Sequence, residues 1–333
     1  MSFPKLAASA IAIAAIAGAA SAQDRQQIRI VGSSTVFPFS TAVAEQFGRT
    51  TDFGTPVVES TGSGGGIKLF CEGVGTQTPD IANASRRMKA SELQTSMDNG
   101  VTEVTEVLVG YDGIVVANAA GAPRLDLTLE QLTLALAANG PMPSNWSDVD
   151  PALPDVAIEV LGPPPSSGTR DAFEELVMEV GCESLAEVEC EGLEIRTDGA
   201  YVESGENDNL IVSKLEENSD AVGIFGFSFL DQNMDALQGA SIGGVEPTFD
   251  NIASGDYPVS RSLQFYLKNA HVGVVPGIQE YAQEFVSDAA GGDMGYLTDL
   301  GLIPLNAELL SEQQDKVSNL TPLSMGDLEG QGS

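Results

Sequence analysis

Three times along this 333-residue chain an apolar run ends in a Gly/Ser/Thr-rich turn that opens directly into a helical pattern. The turns are GSSTVFPF from Gly32, STGSGGG from Ser60 and SSGTR from Ser166. They are followed by Phe39, Ala42, Val43 and Phe47; by Ile67, Phe70 and Cys71; and by Phe173, Leu176, Val177 and Val180, each set spaced as one face of a helix requires. A strand that passes into a helix through so short a turn packs that helix back on its own sheet, so the unit predicts α/β layers. Each helix start also leaves backbone N–H groups unpaired and carries partial positive charge. Three of them aimed at one point would hold a small anion.

The chain between the turns keeps the same alternation. Strands are expected at Ile28–Gly32, Val57–Ser60, Asp80–Ala82, Val104–Leu108, Ile114–Ala117, Ile158–Leu161, Ala221–Ile224 and Leu263–Leu267. Ser91–Gln94 and Thr128–Gln131 match the capping box, and Asn99-Gly100 and Asn139-Gly140-Pro141 mark helix stops. Tyr111-Asp112-Gly113 interrupts an apolar run, which predicts a bend or bulge there. Leu263–Leu267 would carry the chain back, and two such crossings suit a hinged, two-lobed molecule. A cleft between the lobes would gather the turns from both.

Composition narrows the functions open to such a fold. Residues 1–22 read as a cleavable secretory signal, with Lys5, an apolar run from Leu6 to Ala20 and an Ala20-Ser21-Ala22 cleavage motif. Roughly 310 residues would remain, room for two domains. With 48 acidic against 15 basic side chains and a net charge of −33, the chain is no nucleic-acid binder. Any anion site in that field must rely on local donors, because distant charges are screened beyond about 10 Å at 0.1 M salt. Cys182 and Cys190 flank an acidic loop and are the expected disulfide; Cys71 falls on an apolar stripe as a buried thiol. One histidine, His271, with no evident acid partner, and no G-x-S-x-G elbow argue against a hydrolase. No spacing matches a metal site, and no cofactor is expected. Trp146 reads as a packing anchor.

In order and spacing, GSSTVFPF, TGSGGG, DIANASRR, SSGTRDAF and the closing GLIPL resemble the PstS phosphate-binding proteins, extracytoplasmic receptors of ATP-driven phosphate importers. VGYDGIVV from Val109, LTLEQL, NWSDVDPALPD, RTDGAYVESGENDN and VGIFGFSF extend the resemblance over nearly the whole chain beyond the signal. It implies a class II periplasmic-binding fold, two α/β lobes of mixed sheet flanked by helices and joined by two hinge crossovers. Lobe 1 would comprise 23–112 and 263–333, and lobe 2 residues 113–262. The implied role is to bind inorganic phosphate, as a monomer in the periplasm or an equivalent extracytoplasmic space, and to deliver it to the membrane permease of an ABC importer. The alternatives are a receptor for another oxyanion (sulfate, arsenate, molybdate or tungstate) and a phosphate sensor or scavenger without transport.

Carried over residue by residue, the resemblance places phosphate on Ser34, Thr35 and Val36, with Phe37 as a further donor, on Ser63, and on Ser167, Gly168 and Thr169. This chain departs from the family pattern at two charged positions. It reads Ala84-Ser85-Arg86 where such proteins often carry an aspartate, and Pro163 where they carry an arginine four residues before Ser-Gly-Thr. Arg86 is therefore the expected cation, with Arg170 or Arg196 as a second. Asp112 is the expected replacement for the missing proton acceptor, or else a plain strand cap.

Overall fold

The computed structural model describes residues 25–205 and 208–328. The signal expected at 1–22 lies outside them. The chain opens with three short strands, β1 (Arg29–Gly32), β2 (Val57–Ser60) and β3 (Ile81–Ala84). The strand β4 (Val104–Ala119) comes next, with a brief β5 (Asp126–Leu127), then β6 (Val160–Gly162), β7 (Tyr201–Glu203) and β8 (Val222–Gly226). Last come β9 (Leu237–Gly239), β10 (Ser241–Ile242) and β11 (Ser260–Lys268). Among the described residues one sheet runs β2-β1-β3-β11-β4-β8-β6-β7, with β9 also beside β4. Neighbours are parallel within β2-β1-β3 and within β8-β6-β7, and antiparallel wherever β4 or β11 takes part.

β4 gives the molecule its two halves. Its first ten residues pair with β11, whereas Ile114–Ala117 pair with β8. The apolar clusters share the same division. One gathers Ile30, Phe47, Ile81, Val107, Phe265 and Tyr281, and another gathers Ile114, Trp146, Phe173, Ile224 and Tyr257. Trp146 is buried in the latter, and Cys182–Cys190 form a disulfide in that half while Cys71 is a buried free thiol. Burial pushes the Cys71 thiol above its usual range.

Several local expectations are sharpened or corrected. Beside Tyr111-Asp112-Gly113 the expected irregularity is present as a bulge: a register shift between Leu263 and Gln264 opposite Gly110 and Leu108 re-aims β4 without ending it. Closing GLIPL residues lock this stretch, since Tyr111 and Ile303 exchange backbone hydrogen bonds at 2.9 and 3.1 Å. Helix α1 (Phe37–Thr50) and helix α2 (Ser63–Phe70) begin directly in the first two turns. Helix α3 (Ala90–Asp98) is capped at Lys89 rather than Ser91, because the Glu92 carboxylate accepts the Lys89 N–H at 2.9 Å. Helix α4 (Leu129–Leu136) has the Thr128–Gln131 capping box but stops before Asn139, where Ala137 turns extended.

After the short helix α5 (Trp146–Val149), the third turn opens helix α6 (Gly168–Phe173), which widens into a π-helical stretch at Glu174–Glu179 before α7 (Val180–Cys182). A π stretch rotates the residues beyond it off the α-helical stripe. Phe173 and Val177 are therefore buried, whereas Val180 faces solvent.

Candidate functional site

Small residues let the first two turns approach each other. A Cβ on Gly66 would sit 2.4 Å from Gly32 Cα, and one on Gly32 would sit 2.0 Å from the Asn83 carbonyl oxygen, so β1, α2 and β3 meet backbone to backbone. That packing sets Ser63, at the start of α2, against Ser85 after β3. Their hydroxyl oxygens are 3.0 Å apart, and the Ser85 N–H donates to Ser63 Oγ at 3.0 Å. The third turn, from the other half, docks on the first: a Cβ on Gly168 would lie 3.4 Å from Thr35 Cα and 3.6 Å from the Ser34 carbonyl oxygen.

Ser34 and Thr35 stand between two adjoining chambers. The larger, of about 400 Å³, is also lined by Phe37, Phe39, Ser166, Ser167, Gly168, Thr169, Asp112, Asp208, Ser228 and Phe229. The smaller, of about 250 Å³, is lined by Ser33, Gly62, Ser63, Gly64, Ser85, Arg86, Asp171, Glu175 and Arg261. Both are lined by residues that follow β1 and residues that follow β6. The expected hydroxyl and glycine donors of all three turns thus reach one cleft, split between its two chambers.

Backbone donors and charges fare differently. Val36 lines neither chamber; it is buried, and its N–H donates to Ser33 Oγ at 3.3 Å, while the Phe37 N–H goes to the Ser33 carbonyl at 3.0 Å. Arg86 lines the smaller chamber and holds Glu92 by two nitrogens, at 2.7 and 2.9 Å, an interaction that keeps it more firmly protonated. Arg170 does not face the cleft. It stacks on the Tyr201 ring at 4.6 Å, holds Glu174 at 2.6 Å and donates to the Pro163 carbonyl at 3.4 Å. Arg196 is buried within the second half, donating to the carbonyls of Ala135 at 3.1 Å and Pro143 at 2.7 Å and pairing with Asp198. Both serve the packing of their own half, because every outlet for their charge lies there.

Asp112 faces the larger chamber with Asp208, which the sequence reading did not single out. Burial pushes the Asp112 carboxyl above its ordinary range against the pull of Arg261. Burial also pushes Asp208 up to about 6, with the Asp112 charge adding to the rise and the Gly226 N–H opposing it. Arg261 is the principal residue that sequence reasoning missed. It stands at the start of β11, in register with Asp112, and donates to Thr35 Oγ1 at 2.6 Å. Nothing in the local sequence PVSRSLQF marks it, since its partners are 86 to 226 positions away.

His271 corrects the expectation of no acid partner: Nδ1 lies 2.6 Å from Asp80 Oδ1, which Arg25 also meets at 2.6 Å, and Nε2 lies 2.9 Å from the Val74 carbonyl oxygen. The ring is buried with both nitrogens occupied, and it lines neither chamber.

Comparison with known proteins places this architecture. A family profile described as "PBP superfamily domain" matches residues 17–289. The protein SphX of Synechocystis sp. is 29% identical over 308 residues, covering 90% of this chain and 84% of its own. The phosphate-binding protein PstS of Staphylococcus saprophyticus is 28% identical over 295 residues, 87% of this chain and 83% of its own. Among solved structures, a possible phosphate binding protein from Planctomyces limnophilus superposes with a TM-score of 0.75 at 28% identity, covering 88% of this chain and 98% of that one.

Proposed function

The chain belongs to the PBP superfamily and is of its PstS type, and from that premise we propose that it binds inorganic phosphate between its two lobes and passes it to the permease of an ABC importer. The observation that carries this reading is the docking of the Ser167–Thr169 turn of one half on the Ser34–Thr35 turn of the other, with Ser63 and Arg86 in the adjoining chamber. A tetrahedral oxyanion needs donors from several directions, and hydroxyls on opposed lobes supply them in a way that closure completes. Residues 23–112 with 263–333 form one lobe in this proposal, and 113–262 the other. The protein works outside the cytoplasm after loss of residues 1–22, as a monomer and without catalysis.

Asp112 and Asp208 favour a protonated oxyanion such as phosphate over sulfate. At neutral pH phosphate keeps a proton that a carboxylate can accept, whereas sulfate has none and would be repelled. Titration calorimetry on refolded, ligand-free protein tests the reading. Phosphate should give saturable heat and sulfate none; clear binding of sulfate or a metal oxyanion with no response to phosphate would sink it.

A further inference from the structure

Arg261 has a position that no other cation in the cleft shares. Its side chain is only 8% exposed, and its three nitrogens go to three parts of the molecule. Nη2 donates to Thr35 Oγ1 on the first donor turn at 2.6 Å, Nε to Asp112 Oδ2 on β4 at 3.3 Å, and Nη1 to Glu175 Oε2 in the π-helical stretch at 2.6 Å. Thr35 and Glu175 belong to opposite halves, so one guanidinium spans the cleft.

The two carboxylates differ in what holds them. Asp112 is 17% exposed beside the guanidinium and fixed by the strand register, whereas the Glu175 side chain is 54% exposed. Among the described residues the Glu175 carboxylate has no other hydrogen-bond partner. Arg86, the second guanidinium of this chamber, is held from its own half by Glu92, which also accepts the Lys89 N–H. Glu175 is therefore the carboxylate that can leave at least cost: it returns to water, and it leaves a guanidinium edge facing a chamber lined by Ser34, Thr35, Ser63 and Ser85.

Resting on the oxyanion reading of this cleft, we propose that Arg261 is an anion-binding residue and that Glu175 occupies its Nη1 until the anion displaces it. A carboxylate oxygen and a phosphate oxygen are interchangeable acceptors for the Nη1 donors, and the dianion brings twice the charge. Asp112 stays in place through the exchange and keeps the fork aimed. Glu175 then acts as a built-in competitor: the apparent affinity is the intrinsic one reduced by the fraction of molecules in which Glu175 holds the fork. It also gives the empty cleft an interlobe contact that the bound anion replaces with its own.

The test is calorimetric titration of the ligand-free full chain with inorganic phosphate. Glu175→Gln should bind about twofold to fivefold more tightly, the range open to a half-exposed ion pair. Asp171→Asn removes the same charge from the same chamber without touching Arg261, and should change the dissociation constant by less than the Glu175 variant. Arg261→Lys keeps the charge beside Asp112 and so spares the fold, but loses the fork, and should bind about tenfold more weakly. In the Arg261→Lys background the gain from Glu175→Gln should shrink to within error. An unchanged or weaker constant for Glu175→Gln, an equal gain from Asp171→Asn, or wild-type affinity in Arg261→Lys would each overturn the exchange. If the wild type takes sulfate and not phosphate, the ligand reading fails while the same variants titrated with sulfate still decide the exchange; no heat with either anion removes both.

Discussion

Replacing Arg86 by alanine separates the charge that serves the ligand from the charge that serves the fold. The guanidinium lines the smaller chamber beside Ser63 and Ser85, and its side chain is 31% exposed while that of its partner Glu92 is 23% exposed. An ion pair so open to water contributes on the order of 1 kcal/mol or less to folding. A charge-assisted bond to a bound oxyanion is worth about 1.5 to 3 kcal/mol, which is roughly tenfold to 150-fold in the dissociation constant. Arg86→Ala also releases the Glu92 carboxylate toward the chamber, so the loss should lie at the upper end, and Glu92→Gln added to it should recover part of the loss. Calorimetry with phosphate gives the affinity, and urea unfolding of the same preparations gives the stability. Raising the salt should weaken neither the deficit nor its ratio to wild type by much, because a contact inside a closed cleft is screened far less than the field of the −33 surface. A constant within twofold of wild type, or a stability loss as large as the affinity loss, would refute the reasoning.

Other outcomes concern single positions. Asp208 holds its proton up to about pH 6 when folded, above an ordinary unfolded value near 4, so the folded state binds more protons between those limits and stability falls as pH rises through them, by at most about 3 kcal/mol. Asp208→Asn should flatten that part of the pH–melting profile and be the more stable form at pH 7.5; parallel profiles would contradict it. Gly66→Ala would place a methyl 2.4 Å from Gly32 Cα and 2.8 Å from Gly32 N, backbone that cannot step aside, and should cost about 3 kcal/mol by urea midpoint, against a tolerated Gly64→Ala whose nearest neighbour is an arginine tip at 3.7 Å.

The local features of the site were legible because each depends on residues a few positions apart. Hydroxyls at helix starts, the Thr128–Gln131 box and the Cys182–Cys190 bridge across an acidic loop all belong to that class. Misreadings were local too where a neighbour overrode the pattern. Glu92 moved the cap of α3 to Lys89, and the π-helical stretch turned Val180 outward. Val36 kept the right position on the first turn but gave its N–H to Ser33.

Which charges face the cleft was not legible, and the arginines show why. Arg86, Arg170 and Arg196 all stood near cleft motifs in the sequence, yet only Arg86 lines a chamber; Arg170 stacks on Tyr201 and Arg196 ties together carbonyls inside its own half. Arg261, with nothing in its neighbourhood to mark it, reaches Thr35 because β11 returns in register with β4. His271 likewise meets Asp80 only through packing between segments 191 positions apart. Alone, the sequence determined where hydroxyls and turns could converge on an anion, since turn and helix-start geometry is set by short-range sterics and hydrogen bonds. Which charges stand beside them was decided only by the tertiary structure, because an ion pair forms wherever strand register brings two side chains within about 4 Å, whatever their separation along the chain.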